Sequence, residues 1–387
     1  DLKMQNVFEY FIPTRILFGK GQLNNLHKQE LPGKKALIVI TAGKSMKSNG
    51  YLNRLQDQLN KACVDYALFD KVLPNPVLDN VTDGARMCRE ENCDFIIGLG
   101  GGSSIDCAKS IAVMATNDGD YWKYVLEEDF PKNDPLPLVA ITTTAGTGTE
   151  ADPWTVITNE ATNEKVGYGY DKTYPVISVV DPELMATVPA KLTAYQGFDT
   201  LFHAIESIIN KKENPIGEMC ALKAIELMSK YLPRAVKNGN DEEAREKCAL
   251  ANTLAGFFMY CTSEHSLEHA LSAFHPNLPH GAGLIMISLA YYNHFASIHA
   301  CDAELIKMAR AMGKENANST ADFIDALKKL QIDCDVNELK MSNYDIERSE
   351  LRRIAQNARS SMGVLFTRDP VDISEDDCVK ILEESYR

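Results

Sequence analysis

The first half of the chain alternates short apolar runs with amphipathic stretches. Residues 8–18 alternate enough for a strand or two, and residues 65–70 are a further expected strand. Residues 51–62 and 80–91 are expected to be helical, and another helix is expected from near Ile105. Four continuous runs of aliphatic and β-branched residues are typical of parallel strands covered on both faces. They span 36–41, 94–100, 138–143 and 176–181. Strands that alternate with helices predict a mostly parallel, doubly wound sheet that binds ligands at the carboxyl ends of its strands.

Helical periodicity replaces the strand pattern from about residue 190 onward. The segments expected to be helical are 192–211, 217–231, 242–259, 290–312 and 320–330. Pro182 and Pro189 bracket the expected linker. The pattern therefore predicts an α/β N-terminal domain over residues 1–187 and an all-α C-terminal domain over residues 188–387.

Composition narrows the class of protein. A chain of 387 residues is too long for one ordinary core, and 45% hydrophobic with 24% charged residues is typical of a globular protein. The net charge of −14 argues against nucleic-acid and membrane partners. No apolar run reaches the ~20 residues of a membrane helix, and the beginning of the chain shows no signal-peptide pattern. Ten cysteines without a C-x-x-C pair indicate free thiols, so we expect a cytoplasmic protein.

Imidazole and carboxylate side chains concentrate in two places in the second half. Asp199 and His203 are one helical turn apart at the rim of an apolar helix face, and four of the eight histidines fall between Cys261 and Gly281. An unpaired charge at such a rim is costly, so these groups need partners. A divalent metal would give a partner to four of them: Asp199, His203, His265 and His280.

The type of metal follows from the ligands. One carboxylate with neutral imidazoles suits iron(II) or zinc better than calcium or magnesium, which prefer oxygen ligands. A structural interpretation competes with this one, because Asp199 and His203 could form an ordinary i,i+4 ion pair and the other histidines could be hydrogen-bonded core residues. Spacing alone leaves both open.

Two loops rich in small residues follow neighbouring predicted strands. Gly98–Ser104 leads into the helix near Ile105, and Thr142–Thr149 closes the next strand. Glycine lets the backbone approach a phosphate closely, and a helix N-terminus offers free N–H groups. A tight strand-to-helix turn would also need glycine. Two such loops together favour a cradle for a dinucleotide pyrophosphate.

Four motifs in order carry a resemblance that runs nearly end to end. They are Gly100–Ser103, Thr143–Gly148, Gly197–Glu206 and His269–Gly281. Together they resemble the iron-containing (group III) alcohol dehydrogenases, which share the dehydroquinate synthase-like fold. The resemblance implies that the α/β domain binds a dinucleotide, that the helical domain binds a metal, and that the protein forms cytoplasmic homodimers or higher homo-oligomers.

The resemblance also implies site residues. The family's metal ligands match Asp199, His203, His265 and His280, and a further histidine near the nicotinamide, associated with catalysis, matches His269. We expect His269 to relay the proton released by the alcohol. The family's cofactor contacts match Asn75, Gly101, Gly102, Ser103, Thr143, Thr144, Gly148 and Lys165. We add Asp106 as a candidate cofactor contact on the glycine-loop helix, although an Asp in a first turn also suits the helix dipole.

The loop after the first nucleotide-binding strand bears on the choice of dinucleotide. Family members that use NAD often have a carboxylate there, whereas this chain has Gly43, Lys44 and Ser45. A carboxylate would bond a ribose 2′-hydroxyl and repel a 2′-phosphate, while these residues leave room and donors for the phosphate. We therefore favour NADP(H), with NAD(H) as the alternative.

The expected activity is reversible hydride transfer between a small alcohol or aldehyde and the nicotinamide, as in a butanol dehydrogenase. The substrate oxygen would lie on the metal, Fe²⁺ or alternatively Zn²⁺, acting as a Lewis acid. Two other functions remain open. One is a metal- and NAD-dependent cyclase or lyase of the dehydroquinate synthase type, and the other is a non-catalytic protein that binds nucleotide or metal.

Overall fold

A computed structural model describes residues 7–212 and 214–387. The described residues form two compact units: residues 13–189 with 239–249, called the sheet unit, and residues 7–12, 190–212, 214–238 and 250–387, called the helical unit. The sheet unit contains eight strands: β1 (Arg15–Phe18), β2 (Lys35–Thr41), β3 (Asp65–Val72), β4 (Phe95–Gly100), β5 (Leu138–Thr142), β6 (Thr155–Asn159), β7 (Glu164–Tyr168) and β8 (Ile177–Val180).

Six of these strands form a parallel sheet in the order β1-β8-β5-β4-β2-β3. All residues of β4 and β5 are buried, as their continuous apolar sequences predict. β6 and β7 form a separate antiparallel hairpin. Because β2 lies between β3 and β4, the direction of winding reverses there, and ligands of such sheets bind at that position outside the strand ends.

Helices accompany the sheet. They are α1 (Ser45–Ser48), α2 (Tyr51–Lys61), α3 (Leu78–Glu90), α4 (Gly102–Ala115) and α5 (Tyr121–Val125). α4 packs closely on β4, since a Cβ at Gly98 would lie 3.0 Å from Ala108 Cβ and from Ile105 Cα. This close packing directs the N-terminus of α4 to the carboxyl end of β4.

The described chain after residue 189 forms helices joined by loops, and no strand occurs among the described residues of the helical unit. They are α6 (Ala190–Ile209), α7 (Pro215–Lys237), α8 (Glu242–Gly256), α9 (Ser263–Phe274), α10 (His280–Ser297), α11 (Asp302–Ala311), α12 (Thr320–Asp333), α13 (Leu351–Ser361), α14 (Gly363–Phe366) and α15 (Glu375–Ser385). The predicted fold class, a doubly wound sheet followed by a helical region, is confirmed. The boundary between residues 187 and 188 stays a prediction. No helix in residues 7–212 or 214–387 is both long and apolar enough to cross a membrane.

One predicted helix, over residues 290–312, is wrong. The chain forms α10 and α11 there, with a turn in which His299 has a φ of 54°. Apolar periodicity continues across the break and hides it. The local signal is the acidic first turn of α11, where Asp302 and Glu304 suit a helix N-terminus.

The start of α10 approaches α6 closely at a glycine. A Cβ at Gly281 would lie 2.1 Å from the carbonyl oxygen of Tyr195, a backbone atom that cannot move aside as a side chain can. The absence of a side chain at Gly281 therefore sets the spacing between two helices that carry candidate ligands.

We predict that Gly281→Ala destabilises the protein by about 3 kcal/mol, because overpacking against backbone forces the helices apart. Denaturant unfolding measures the effect. Gly363→Ala is the control, since a Cβ there meets nothing within 4 Å and should leave stability unchanged or raise it by up to about 1 kcal/mol. Equal stability of the two variants would contradict the close approach of α6 and α10.

Candidate active site

Three of the four predicted metal ligands lie around a carboxylate oxygen of the fourth, Asp199, in the helical unit. Asp199 Oδ1 lies 3.3 Å from His203 Nε2, 3.2 Å from His265 Nε2 and 3.2 Å from His280 Nε2. Ligand bonds of about 2.0–2.2 Å in a tetrahedral site place neighbouring ligand atoms about 3.4 Å apart. The ligand atoms of Asp199, His265 and His280 all lie within 4.8 Å of one another, so these three side chains suit a single ion, and His203 faces the same oxygen of Asp199.

Three helices bring these ligands together. α6 presents Asp199 and His203 on one face because they are four residues apart. α9 supplies His265, and His280 is the first residue of α10, directly after Pro279. Asp199, His203 and His265 are buried, whereas His280 is partly exposed. Three of the four proposed ligands therefore lie in the protein interior, and His280 is the one that is more accessible to solvent.

A second layer of carboxylates orients two of the imidazoles. His265 Nδ1 is hydrogen-bonded to Glu206, and His280 Nδ1 to Glu268. Both carboxylates are fully buried. An imidazole that donates its Nδ1–H to a carboxylate presents the Nε2 lone pair, which is the atom that faces Asp199. This pairing is typical of histidines that bind metals.

Further donors hold these carboxylates in place. Glu206 Oε1 accepts from the Thr262 N–H at 3.0 Å and from Thr262 Oγ1 at 3.1 Å. Ser272 Oγ donates to Glu268. Glu206 lies on α6, three residues after His203, and is fully buried. Glu268 was not predicted from the sequence, and the signal that could have found it is its position on α9 between His265 and His269.

The buried carboxylates of this cluster need positively charged partners. Burial disfavours the charged form of Asp199, but the imidazoles of His203 and His280 outweigh it and hold the pKa of Asp199 well below its usual value. Burial also opposes protonation of His265, yet Cys261 and Glu206 raise its pKa well above the ordinary value. Protons thus compensate buried carboxylates in the metal-free protein. A divalent ion fits the same donor set and would displace those protons.

His269 lies beside the ligand group. Its ring centroid is 5.4 Å from that of His280 and 6.0 Å from that of His265. Its Nδ1 lies 2.8 Å from Met362 Sδ. His269 therefore adjoins the proposed ligands, and its catalytic role stays a prediction.

In the sheet unit, the two predicted phosphate loops pack against each other. A Cβ at Gly101 would lie 3.0 Å from Thr144 Cγ2, and a Cβ at Gly102 would lie 2.4 Å from Thr147 Cγ2. Because these two glycines carry no side chains, the loop after β4 can contact the loop after β5. The backbone N–H groups at the start of α4 are the unpaired donors that bind phosphate in other proteins.

Other predicted cofactor residues lie around these loops. Ser103 Oγ donates to the carbonyl of Pro74, next to Asn75, and Lys165 Nζ donates to Asn75 Oδ1 at 3.2 Å. Thr143 follows β5 directly, and Gly148 ends its loop with a φ of 66°. The structure thus brings Asn75, Ser103 and Lys165 together from three separate segments.

The loop that bears on dinucleotide choice follows β2, the neighbour of β4 in the sheet. Gly43, Lys44 and Ser45 are all exposed. A Cβ at Gly43 would find its nearest neighbour, Thr41 Oγ1, at 3.7 Å, which is ordinary contact. A larger side chain at position 43 therefore fits without strain.

Asp106 forms hydrogen bonds within the protein through both carboxylate oxygens. Thr149 Oγ1 donates to Oδ1 at 2.6 Å, and the Val156 N–H donates to Oδ2 at 3.0 Å. Burial raises its pKa, against the influence of Lys109. These bonds give Asp106 a structural role in the loop after β5, and its contact with a cofactor stays a prediction.

Comparisons with known proteins agree over both units. The family model "Iron-containing alcohol dehydrogenase" matches residues 13–182, and "Fe-containing alcohol dehydrogenase family, C-terminal" matches residues 193–386. Alcohol dehydrogenase 4 of Schizosaccharomyces pombe is 38% identical over 336 residues, which cover 86% of this chain and 78% of the relative. A probable NADH-dependent butanol dehydrogenase of Bacillus subtilis is 31% identical, covering 92% and 94%.

A solved structure is similar over nearly the whole chain. It is the archaeal halo-thermophilic alcohol dehydrogenase from a Red Sea brine pool, bound to NZQ. Its TM-score is 0.93 at 32% identity, covering 99% of this chain and 100% of that one.

We predict that His280→Ala removes most of the metal, because the ion loses one of its four ligands. The wild type, loaded anaerobically with iron(II) and desalted, should retain about one ion per chain by elemental analysis. His275→Ala is the matched control, since His275 bonds Glu350 at 2.9 Å instead of facing Asp199. It should retain the metal.

Glu268→Gln should give an intermediate result, with metal binding about 10–100-fold weaker, since the amide is a weaker acceptor for the His280 Nδ1–H. Full metal retention by His280→Ala would refute the four-ligand site.

Proposed function

The chain belongs to the iron-containing alcohol dehydrogenase family, and on that premise we propose that it is a metal-dependent, NAD(P)-linked alcohol dehydrogenase and aldehyde reductase. Its reaction is hydride transfer between a small alcohol and the nicotinamide. The observation that carries the proposal is the oxygen of Asp199 with three imidazole Nε2 atoms 3.2–3.3 Å away.

Four side chains would hold the metal: Asp199, His203, His265 and His280. Iron(II) is the proposed ion, with zinc as the alternative. When bound, a divalent ion supplies Lewis-acid stabilisation of the negative charge that develops on the substrate oxygen. Glu206 and Glu268 keep the imidazoles of His265 and His280 in the tautomer that the site requires.

The loops of the sheet unit would bind the dinucleotide. Gly101, Gly102 and the N-terminus of α4 suit the pyrophosphate, and Ser103, Thr143, Thr144 and Gly148 lie on the two loops that form its cradle. Asn75 and Lys165 add an amide and a cation beside Ser103. The nicotinamide supplies the hydride chemistry.

Proton transfer falls to His269 in this proposal. Its Nδ1 is directed at Met362 Sδ. We therefore assign transfer of the hydroxyl proton to Nε2, the other ring nitrogen. His269 needs no metal bond for this role, which agrees with its place beside the ligand group.

We favour NADP(H) over NAD(H) because the loop after β2 has no carboxylate at Gly43, Lys44 or Ser45. The lysine and serine offer donors to a 2′-phosphate. A cytoplasmic location and a homodimeric or higher homo-oligomeric state stay predictions from the sequence.

We predict that the iron-loaded protein oxidises NADPH when butanal or a similar short aldehyde is added, and that nicotinamide absorbance falls accordingly. His280→Ala should be inactive. His269→Asn should keep its metal but lose about 10²–10⁴-fold in kcat, the usual contribution of a general acid or base. A metal-loaded wild type that binds dinucleotide but turns over no alcohol or aldehyde in a panel would refute the activity.

A second prediction concerns cofactor choice. Gly43→Asp should move the NADPH-to-NADH ratio of kcat/KM toward NADH by about tenfold or more, since each 1.4 kcal/mol of repulsion from the 2′-phosphate is a factor of ten. Gly43→Asn is the control, because it has similar size and hydrogen-bonding capacity but no charge. Equal rates of the wild type with both dinucleotides, or a preference for NADH, would contradict the proposal.

A further inference from the structure

Lys109, on α4, carries a fully buried ammonium group enclosed by oxygen atoms. Its side chain is 0% exposed. Nζ lies 2.7 Å from the Thr149 carbonyl oxygen and 2.6 Å from Thr149 Oγ1, 2.8 Å from the carbonyl oxygens of Asp152 and Trp154, and 3.3 Å from Asp152 Oδ1. An ammonium has only three N–H bonds, fewer than the five oxygens around it. The oxygens therefore form a shell around a compact charge.

The size of this shell indicates which cation it suits. Magnesium and calcium bind oxygen at about 2.0–2.6 Å. The distances around Lys109 reach from 2.6 to 3.3 Å, which suits a larger monovalent cation such as ammonium. All five oxygens come from three residues in the short segment Thr149–Trp154.

This segment follows the Thr143–Gly148 loop directly, so the shell fixes one end of that loop. α4 also supplies Asp106, which accepts from Thr149 Oγ1 at 2.6 Å. Thr149 therefore donates to an anion and accepts from a cation on the same helix. The N-terminus of that helix is the expected phosphate site, and both loops of the cradle are thereby tied to one element.

We propose that the ammonium of Lys109 acts as an internal monovalent cation, a positioning residue that folds the Thr149–Trp154 segment around itself and so holds the Thr143–Gly148 loop in its cofactor-binding conformation. The cofactor part of this inference rests on the proposed function. The cation shell itself does not.

Removing the side chain while supplying a free cation tests the inference. Lys109→Ala should bind NADPH about tenfold more weakly or worse, because small misplacements of positioning groups are costly. Fluorescence titration measures the affinity. About 0.1 M ammonium chloride should restore most of the loss, whereas sodium chloride at the same ionic strength controls for screening.

Lys109→Met is the matched control, because it fills the space without a charge. It should lose affinity as Lys109→Ala does, and ammonium should not restore it. Each of three results would overturn the proposal. Lys109→Ala could bind NADPH with wild-type affinity, it could fold without being rescued by ammonium, or ammonium could rescue Lys109→Met equally well. If Lys109→Ala does not fold, Thr149→Val, which removes one shell oxygen with little change of shape, should weaken NADPH binding several-fold. Unchanged affinity there would overturn it.

Failure of the proposed function gives a different result. A wild type that binds neither dinucleotide refutes the dehydrogenase proposal. The thermal unfolding midpoints of the two Lys109 variants then test the oxygen shell without any cofactor. Ammonium should raise the midpoint of Lys109→Ala but not that of Lys109→Met. No difference between the two variants refutes the internal cation.

Discussion

Buried negative charge that requires a cation is the constraint on which the helical unit depends. Asp199, Glu206 and Glu268 lie in one cluster with at most 3% exposure. Carboxylates buried in this way are stable only if paired, because desolvation of a single charge costs several kcal/mol or more. Three imidazoles supply the pairing, and they do so either as protonated partners or as ligands of an ion. The helices α6, α9 and α10 must therefore pack so that these groups meet.

The same logic operates in the sheet unit with a different cation. There a lysine, not an ion, occupies the oxygen shell, and Asp106 lies one helical turn before it on α4. Lysine suits a permanent structural position because its charge is covalently attached. A metal suits the helical unit because an ion can offer an open coordination position to a substrate. In the proposed function, the chain would use a covalently attached cation for positioning and an exchangeable ion for chemistry.

Local patterns were enough to predict the fold class, and they led to the proposal of a ligand set, which stays a prediction. The continuous runs of β4 and β5 indicated a covered parallel sheet, and the i,i+4 spacing of Asp199 and His203 placed them on one face of α6. The concentration of histidines between Cys261 and Gly281 pointed to His265 and His280, and the resemblance to the iron-containing alcohol dehydrogenases, which is confirmed, implied the same residues. The break between α10 and α11 was missed because apolar periodicity runs through it, and a left-handed residue such as His299 leaves no signal in hydrophobicity.

Charge compensation could not be predicted, because it is a tertiary property. Glu268 and Lys109 each lie in a helix, where a charged residue is expected to face solvent. Only the packing of the structure shows that both are buried. Asp106 shows the same limit. Its position near the start of α4 predicts a cofactor contact, and the structure adds that both of its oxygens accept hydrogen bonds, from Thr149 and Val156. Sequence spacing identifies which residues share a helix face. The residues packed against a charged side chain decide whether that side chain binds a ligand or stabilises a loop that binds one.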